Sequence, residues 1–108
     1  MKVLIIENDQ DIRLNLQEYL ESAGYEVEVS PSTKIARQIL LARKFDRILL
    51  DYHTYLANYP DNEILALLKE LRVIITSTRT SNNFINGLEN KTILRKPFSI
   101  NDLENILK

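Results

Sequence analysis

Cysteine is absent from this chain. Its absence excludes a disulfide framework and a thiolate metal site, and it is compatible with a reducing compartment. Glycine is scarce at two residues and proline at three, so there is no flexible linker, low-complexity tract or repeat. Neither sign of charge dominates. Fourteen basic against fifteen acidic residues leave a net charge of -1, so no global field favours nucleic acid. No apolar run approaches the roughly 20 residues needed to span a bilayer, and the N-terminus carries no signal-peptide pattern. These absences lead us to expect a cytoplasmic protein with no membrane and no direct nucleic-acid partner. What remains is ordinary globular composition, 44% hydrophobic and 27% charged over 108 residues. That length fits one domain over residues 1–108.

The apolar residues fall into two periods. Val3-Leu4-Ile5-Ile6 is an unbroken run, as in a strand covered on both faces. Asp9 is placed to cap a helix in which Ile12, Leu16, Tyr19, Leu20 and Ala23 recur at helical spacing, and Gly24 is a good stop. Tyr25, Val27 and Val29 alternate with polar residues, as in a half-buried edge strand. Pro31 and Ser32 open a second helix with Ile35, Ala36, Ile39 and Leu40 as its apolar stripe. Arg47-Ile48-Leu49-Leu50 predicts a third strand ending at Asp51. A loop bearing Tyr52, Tyr55 and Tyr59 follows, and then a helix capped by Asp61 with Ile64, Leu65, Leu68 and Leu71 inward. Val73 to Thr76 predicts a fourth strand, and Ser81 a weak helix carrying Phe84, Ile85 and Leu88. Thr92-Ile93-Leu94 predicts a fifth strand, and Ser99 caps a last helix with Ile100, Leu103, Ile106 and Leu107.

Five repetitions of strand then helix argue an α/β fold, a doubly wound parallel sheet with helices on both faces. Five strands favour the flavodoxin-like order 2-1-3-4-5, with sites at the carboxyl ends of strands 1 and 3. Three stretches then gain meaning together. Glu7-Asn8-Asp9 ends the first strand, Asp51 ends the third, and Lys96-Pro97-Phe98 follows the fifth. Adjacent parallel strands bring acid, carboxylate and ammonium to one rim, a pocket suited to a divalent metal and a phosphoryl group.

On those residues the chain resembles the receiver domain of two-component response regulators, the CheY-like fold. "KVLIIENDQDIR", "FDRILLD", "VIITST" and "LRKPF" are similar to that family's successive motifs and together span essentially the whole chain. The resemblance implies a signalling protein rather than an enzyme. It implies that Asp51 is the phosphoacceptor, receiving phosphoryl from a histidine kinase or a phosphotransfer protein. It implies that Glu7 and Asn8 match the acidic pair holding Mg²⁺, with Asp51 and the backbone carbonyl of His53. It also implies that Ser77, or Thr76 one register away, bonds the phosphoryl oxygen and that Lys96 pairs with it, before a cis Lys96–Pro97 bond. The first helix, with Leu14 on its outer side, matches the surface that docks the phosphodonor.

The sequence departs from the family pattern in three places. Asn8 stands where a second acid is usual, so Mg²⁺ affinity is expected to fall at least about ten- to a hundredfold. The turn after Asp51 lacks its usual proline, and Ile93 stands where an aromatic switch residue is common. A phosphorylation-independent pseudo-receiver, acting as a protein-interaction module, is therefore the alternative. A hydrolase built on Ser77, His53 and Asp51 lacks any G-x-S-x-G elbow. A flavodoxin-type cofactor site lacks glycine and carries acids in the first loop.

Overall fold

Five strands of five, five, five, five and four residues form one sheet in the computed structural model, which describes residues 1–78 and 86–108. They are β1 (Lys2–Ile6), β2 (Glu26–Ser30), β3 (Arg47–Asp51), β4 (Val73–Ser77) and β5 (Thr92–Arg95). All pairs are parallel and the order is β2-β1-β3-β4-β5, the flavodoxin-like order. The helices are α1 (Gln10–Ser22), α2 (Thr33–Ala42), α3 (Tyr52–Leu56), α4 (Asn62–Lys69) and α5 (Ile100–Leu107). The helix expected from Ser81 through Phe84 and Ile85 lies outside the described residues, while Leu88 is buried.

Strand alternation sorts the core into two layers. Leu4, Ile6, Ile48, Leu50 and Ile75 pack with Ala36, Tyr55, Ile64 and Leu68, the side covered by α2, α3 and α4. Val3, Ile5, Leu49, Ile74 and Leu94 pack with Leu20, Leu103 and Leu107, the side covered by α1 and α5. Consecutive residues of β1 thus serve opposite cores, which is why its run is apolar throughout. Each fully buried Leu or Ile contributes roughly 1.5–3 kcal/mol of transfer free energy. The β2 edge is guarded by charge: Arg43 grips Glu28 through Nε at 2.5 Å and Nη2 at 2.7 Å.

Helix ends follow the local chemistry. Asp9, Ser32, Asp61 and Ser99 each accept a backbone N–H of the first turn, and Ser99 with Asp102 completes a capping box. Gly24 sits at φ 97° after α1. Its N–H reaches Glu21 O at 3.1 Å while the Tyr25 N–H reaches Leu20 O at 3.0 Å, a Schellman stop that needs the left-handed conformation.

Three large apolar residues expected to face inward do not. Ile12, Ile35 and Ile100 are exposed. All three lie in the first turn of their helices. In a strand-then-helix unit that turn stands at the carboxyl rim of the sheet, where there is little strand surface left to cover it. The segment after Asp51 also differs from expectation, because it is the short helix α3 and not a loop. Asp51 caps it, and Tyr52 and Tyr55 are buried beneath it. Tyr59 is exposed with its ring 6.0 Å from that of Tyr55.

Candidate functional site

The register puts the strand ends level. Ile6 pairs with Leu50, Asp51 with Thr76, and Ser77 with Arg95. Glu7, Asp51, Ser77 and Lys96 consequently stand at one carboxyl rim. Alternation adds direction: Glu7 follows Ile5, Asp51 follows Leu49 and Lys96 follows Leu94 by two positions, all three on the α1 and α5 side.

There Lys96 joins the two acids. Its Nζ donates to Asp51 Oδ1 at 2.8 Å and to Glu7 Oε1 at 3.0 Å. Both carboxylates are nearly dry, Glu7 at 3% and Asp51 at 4% exposure. Burial by itself would raise the Asp51 carboxyl, but hydrogen bonds from Lys96 and Thr54 outweigh it and hold that group below its ordinary value. Burial would likewise lower Lys96, and its bonds to Asp51 and Glu7 reverse the sign, so the ammonium is held above its ordinary value. Asp51 and Lys96 therefore form a charged pair at neutral pH. The Lys96 N–H donates to Ser77 O at 2.7 Å, and the Lys96–Pro97 bond is cis, as the resemblance implies.

Sequence reasoning overlooked Thr54. Asp51 Oδ2 accepts from the Thr54 N–H at 2.9 Å and from its hydroxyl at 2.8 Å. The same hydroxyl accepts the Asn8 N–H at 3.0 Å. An Asp followed three residues later by Thr was the available signal, since that spacing caps a helix.

The rest of the rim is arranged as follows. Asn8 is exposed, with Oδ1 3.4 Å from the Thr54 hydroxyl. Asp9 takes the capping use, accepting the Ile12 N–H at 3.0 Å, and its own N–H donates to Glu7 Oε2 at 3.2 Å. Arg13 Nη1 donates to Glu7 O at 2.8 Å and fixes the loop from outside. The His53 carbonyl accepts the N–H of Ala57, the C-cap of α3, at 3.1 Å. The His53 ring is exposed, with Nε2 3.5 Å from the Thr78 hydroxyl. Thr76 and Ser77 are both buried at the end of β4, Thr76 as the register partner of Asp51.

Among the described residues no group of three or more His, Cys, Asp and Glu side chains could hold a metal. The donors at the rim are nonetheless hard oxygens: two carboxylates and the Asn8 amide. An ammonium already lies between the carboxylates, which marks the pocket as one that holds a cation. In donor type these residues fit Mg²⁺, with one formal charge fewer than a pocket of three acids.

Comparison with known proteins agrees with the geometry. Residues 3–108 match the response regulator receiver domain. The chain belongs to that family. The phosphate regulon transcriptional regulatory protein PhoB of Pseudomonas aeruginosa is 34% identical over 98% of this chain and 49% of its own length. The nisin biosynthesis regulatory protein NisR of Lactococcus lactis is 30% identical over 94% of this chain and 46% of its own. The Francisella response regulator 1452 receiver domain superposes with a TM-score of 0.75 at 33% identity, covering 98% of this chain and 94% of that one. The chemotaxis protein CheY4 of Vibrio cholerae superposes at 0.76 with 26% identity over 98% and 94%. The chain spans about half the length of the curated relatives it matches. Receiver domains are signalling modules that accept phosphoryl groups and generally bind Mg²⁺ at their acidic pocket. No helix among the described residues is long and apolar enough to cross a membrane.

Proposed function

We propose that this receiver takes a phosphoryl group on Asp51 from a phosphohistidine of a histidine kinase or phosphotransfer protein. The observation that carries the reading is the Lys96 ammonium bonded to both Asp51 and Glu7. In the transfer an Asp51 oxygen forms a bond to phosphorus as the phosphorus–nitrogen bond breaks. The donor imidazole leaves with the electron pair. Such a transfer is mostly alignment and charge neutralisation. Lys96 supplies positive charge at the arriving oxygens, and Ser77, at the end of β4, donates its hydroxyl to one of them. Mg²⁺, held by oxygens of Glu7, Asn8 and Asp51, would supply further charge neutralisation, with weaker affinity than a second acid at position 8 would give. The His53 carbonyl, engaged within α3, reaches the metal shell only if that bond is shared.

Ile93 is exposed at 42% and has no ring to swing inward, so the signal leaves by a route other than an aromatic switch. The downstream readout is a change in protein affinity, in the cytoplasm, whether this receiver acts alone or within a longer regulator. Two observations favour a second reading, a phosphorylation-independent interaction module: the amide at position 8, and an Asp51 carboxylate already bonded on both oxygens. Incubation with an acyl phosphate donor, with and without Mg²⁺, separates the two. The first reading predicts bound phosphate that hydroxylamine releases and that chelation of Mg²⁺ diminishes. Absence of such phosphate at saturating Mg²⁺ supports the second.

A further inference from the structure

The Thr54 hydroxyl does more than helix capping requires. The backbone N–H bond to Asp51 Oδ2 is the cap, and nearly any residue at position 54 would supply it. The hydroxyl is additional. Thr54 is 1% exposed, and burying a hydroxyl is unfavourable unless it is bonded. Its two bonds within 3.0 Å go to Asp51 and to the Asn8 N–H, both members of the acceptor rim. A hydroxyl has one proton. The 2.8 Å bond to the carboxylate takes it, and a lone pair accepts the Asn8 N–H.

The bonds close a ring. Asp51 Oδ1 meets Lys96, Lys96 meets Glu7, the backbone runs to Asn8, Asn8 meets Thr54, and Thr54 returns to Asp51 Oδ2. The ring removes rotation of the Asp51 carboxylate. One oxygen carries two fixed bonds from α3. Among the described residues the other is held by the longer, partly exposed Lys96 side chain. We propose that Thr54 is a positioning residue of the acceptor site: its hydroxyl ties Asp51 to the loop after β1 and leaves Oδ1, beside Lys96, as the oxygen that attacks phosphorus. The proposal rests on the reading of Asp51 as phosphoacceptor. In the step itself Oδ1 bonds to phosphorus, Oδ2 becomes the carbonyl oxygen of the acyl phosphate, and the donor's leaving group departs with its electron pair.

The test uses the full chain with acetyl phosphate and Mg²⁺, comparing wild type with Thr54→Val, Thr54→Ser and Asp51→Asn. Thr54→Val keeps the shape and the backbone cap but lacks the hydroxyl. It is expected to lower the maximal rate of phosphate uptake about tenfold while the half-saturating donor concentration stays unchanged, because Thr54 aligns the acceptor and does not bind the donor. Thr54→Ser restores the rate to within about twofold. A Thr54→Val protein as fast as wild type, with Asp51→Asn inert, overturns the positioning role and leaves the acceptor reading standing. A wild-type chain that takes up no phosphate overturns the acceptor reading and this role with it. Amide exchange of the wild-type protein tests the tie without any variant. The Asn8 N–H is expected to be protected although its residue is exposed, and exchange at the rate of an open loop overturns the proposal.

Discussion

Lys96 Nζ lies 2.8 Å from Asp51 Oδ1, across 45 residues of sequence, and the same ammonium lies 3.0 Å from Glu7 Oε1. Two nearly dry carboxylates share one cation. Lys96→Met removes the positive charge and leaves both acids facing each other. It is expected to destabilise the fold by about 2–3 kcal/mol, read as a lower urea midpoint with an unchanged slope. Asp51→Asn removes one negative charge and keeps an acceptor for Lys96, so its loss is predicted to be smaller. Equal midpoints for wild type and Lys96→Met would show that the trio contributes nothing to stability.

Asn8 sets the charge of the rim. Asn8→Asp adds a carboxylate at the end of the loop that Arg13 holds. Calorimetric titration should then show Mg²⁺ binding at least about tenfold tighter than in the wild-type chain. An unchanged dissociation constant would mean that position 8 does not face the cation.

Glu28 offers a pH test remote from the rim. Its carboxyl is held below the ordinary value chiefly by the hydrogen bonds from Arg43, against partial burial that pushes it upward. A depressed folded-state value stabilises the fold above the unfolded value, near about 4.3, and that stability is lost as pH falls through the folded value. Glu28→Gln should therefore melt below wild type at neutral pH, and the gap should close as the pH falls below about 4. A gap that is constant with pH would assign the difference to packing.

Gly24 makes a sharper local prediction. At φ 97° an L side chain is strained, although nothing lies within 4 Å of where its Cβ would stand. Gly24→Ala should destabilise by about 1–2 kcal/mol through backbone strain alone. Denaturant unfolding reads this directly, and a neutral result would mean that the turn relaxes to another conformation.

Particular residues explain what could be read from sequence and what could not. Gly24, Asp9, Asp61 and Ser99 declared helix ends because their chemistry acts within a few residues. The runs in β1, β3 and β4 declared buried parallel strands because both faces of each are covered. The convergence of Glu7, Asp51 and Lys96 followed from strand order, once alternation of strand and helix had supplied it. Helix α3 escaped notice because its five residues are too few to establish a period, and its core anchors are tyrosines, which also suit a loop. Thr54 escaped with it: its spacing from Asp51 signals only a helix cap, and its contact with Asn8 crosses 46 residues. The outward Ile12, Ile35 and Ile100 were misplaced for a related reason: periodicity gives a helix face but not where the sheet beneath it stops.

The most direct measurement of the central claim is the intact mass of the chain after exposure to a small phosphodonor with saturating Mg²⁺. The account predicts the gain of one phosphoryl group by the wild-type protein and none by Asp51→Asn. An unchanged wild-type mass, or a gain that survives in Asp51→Asn, would contradict it.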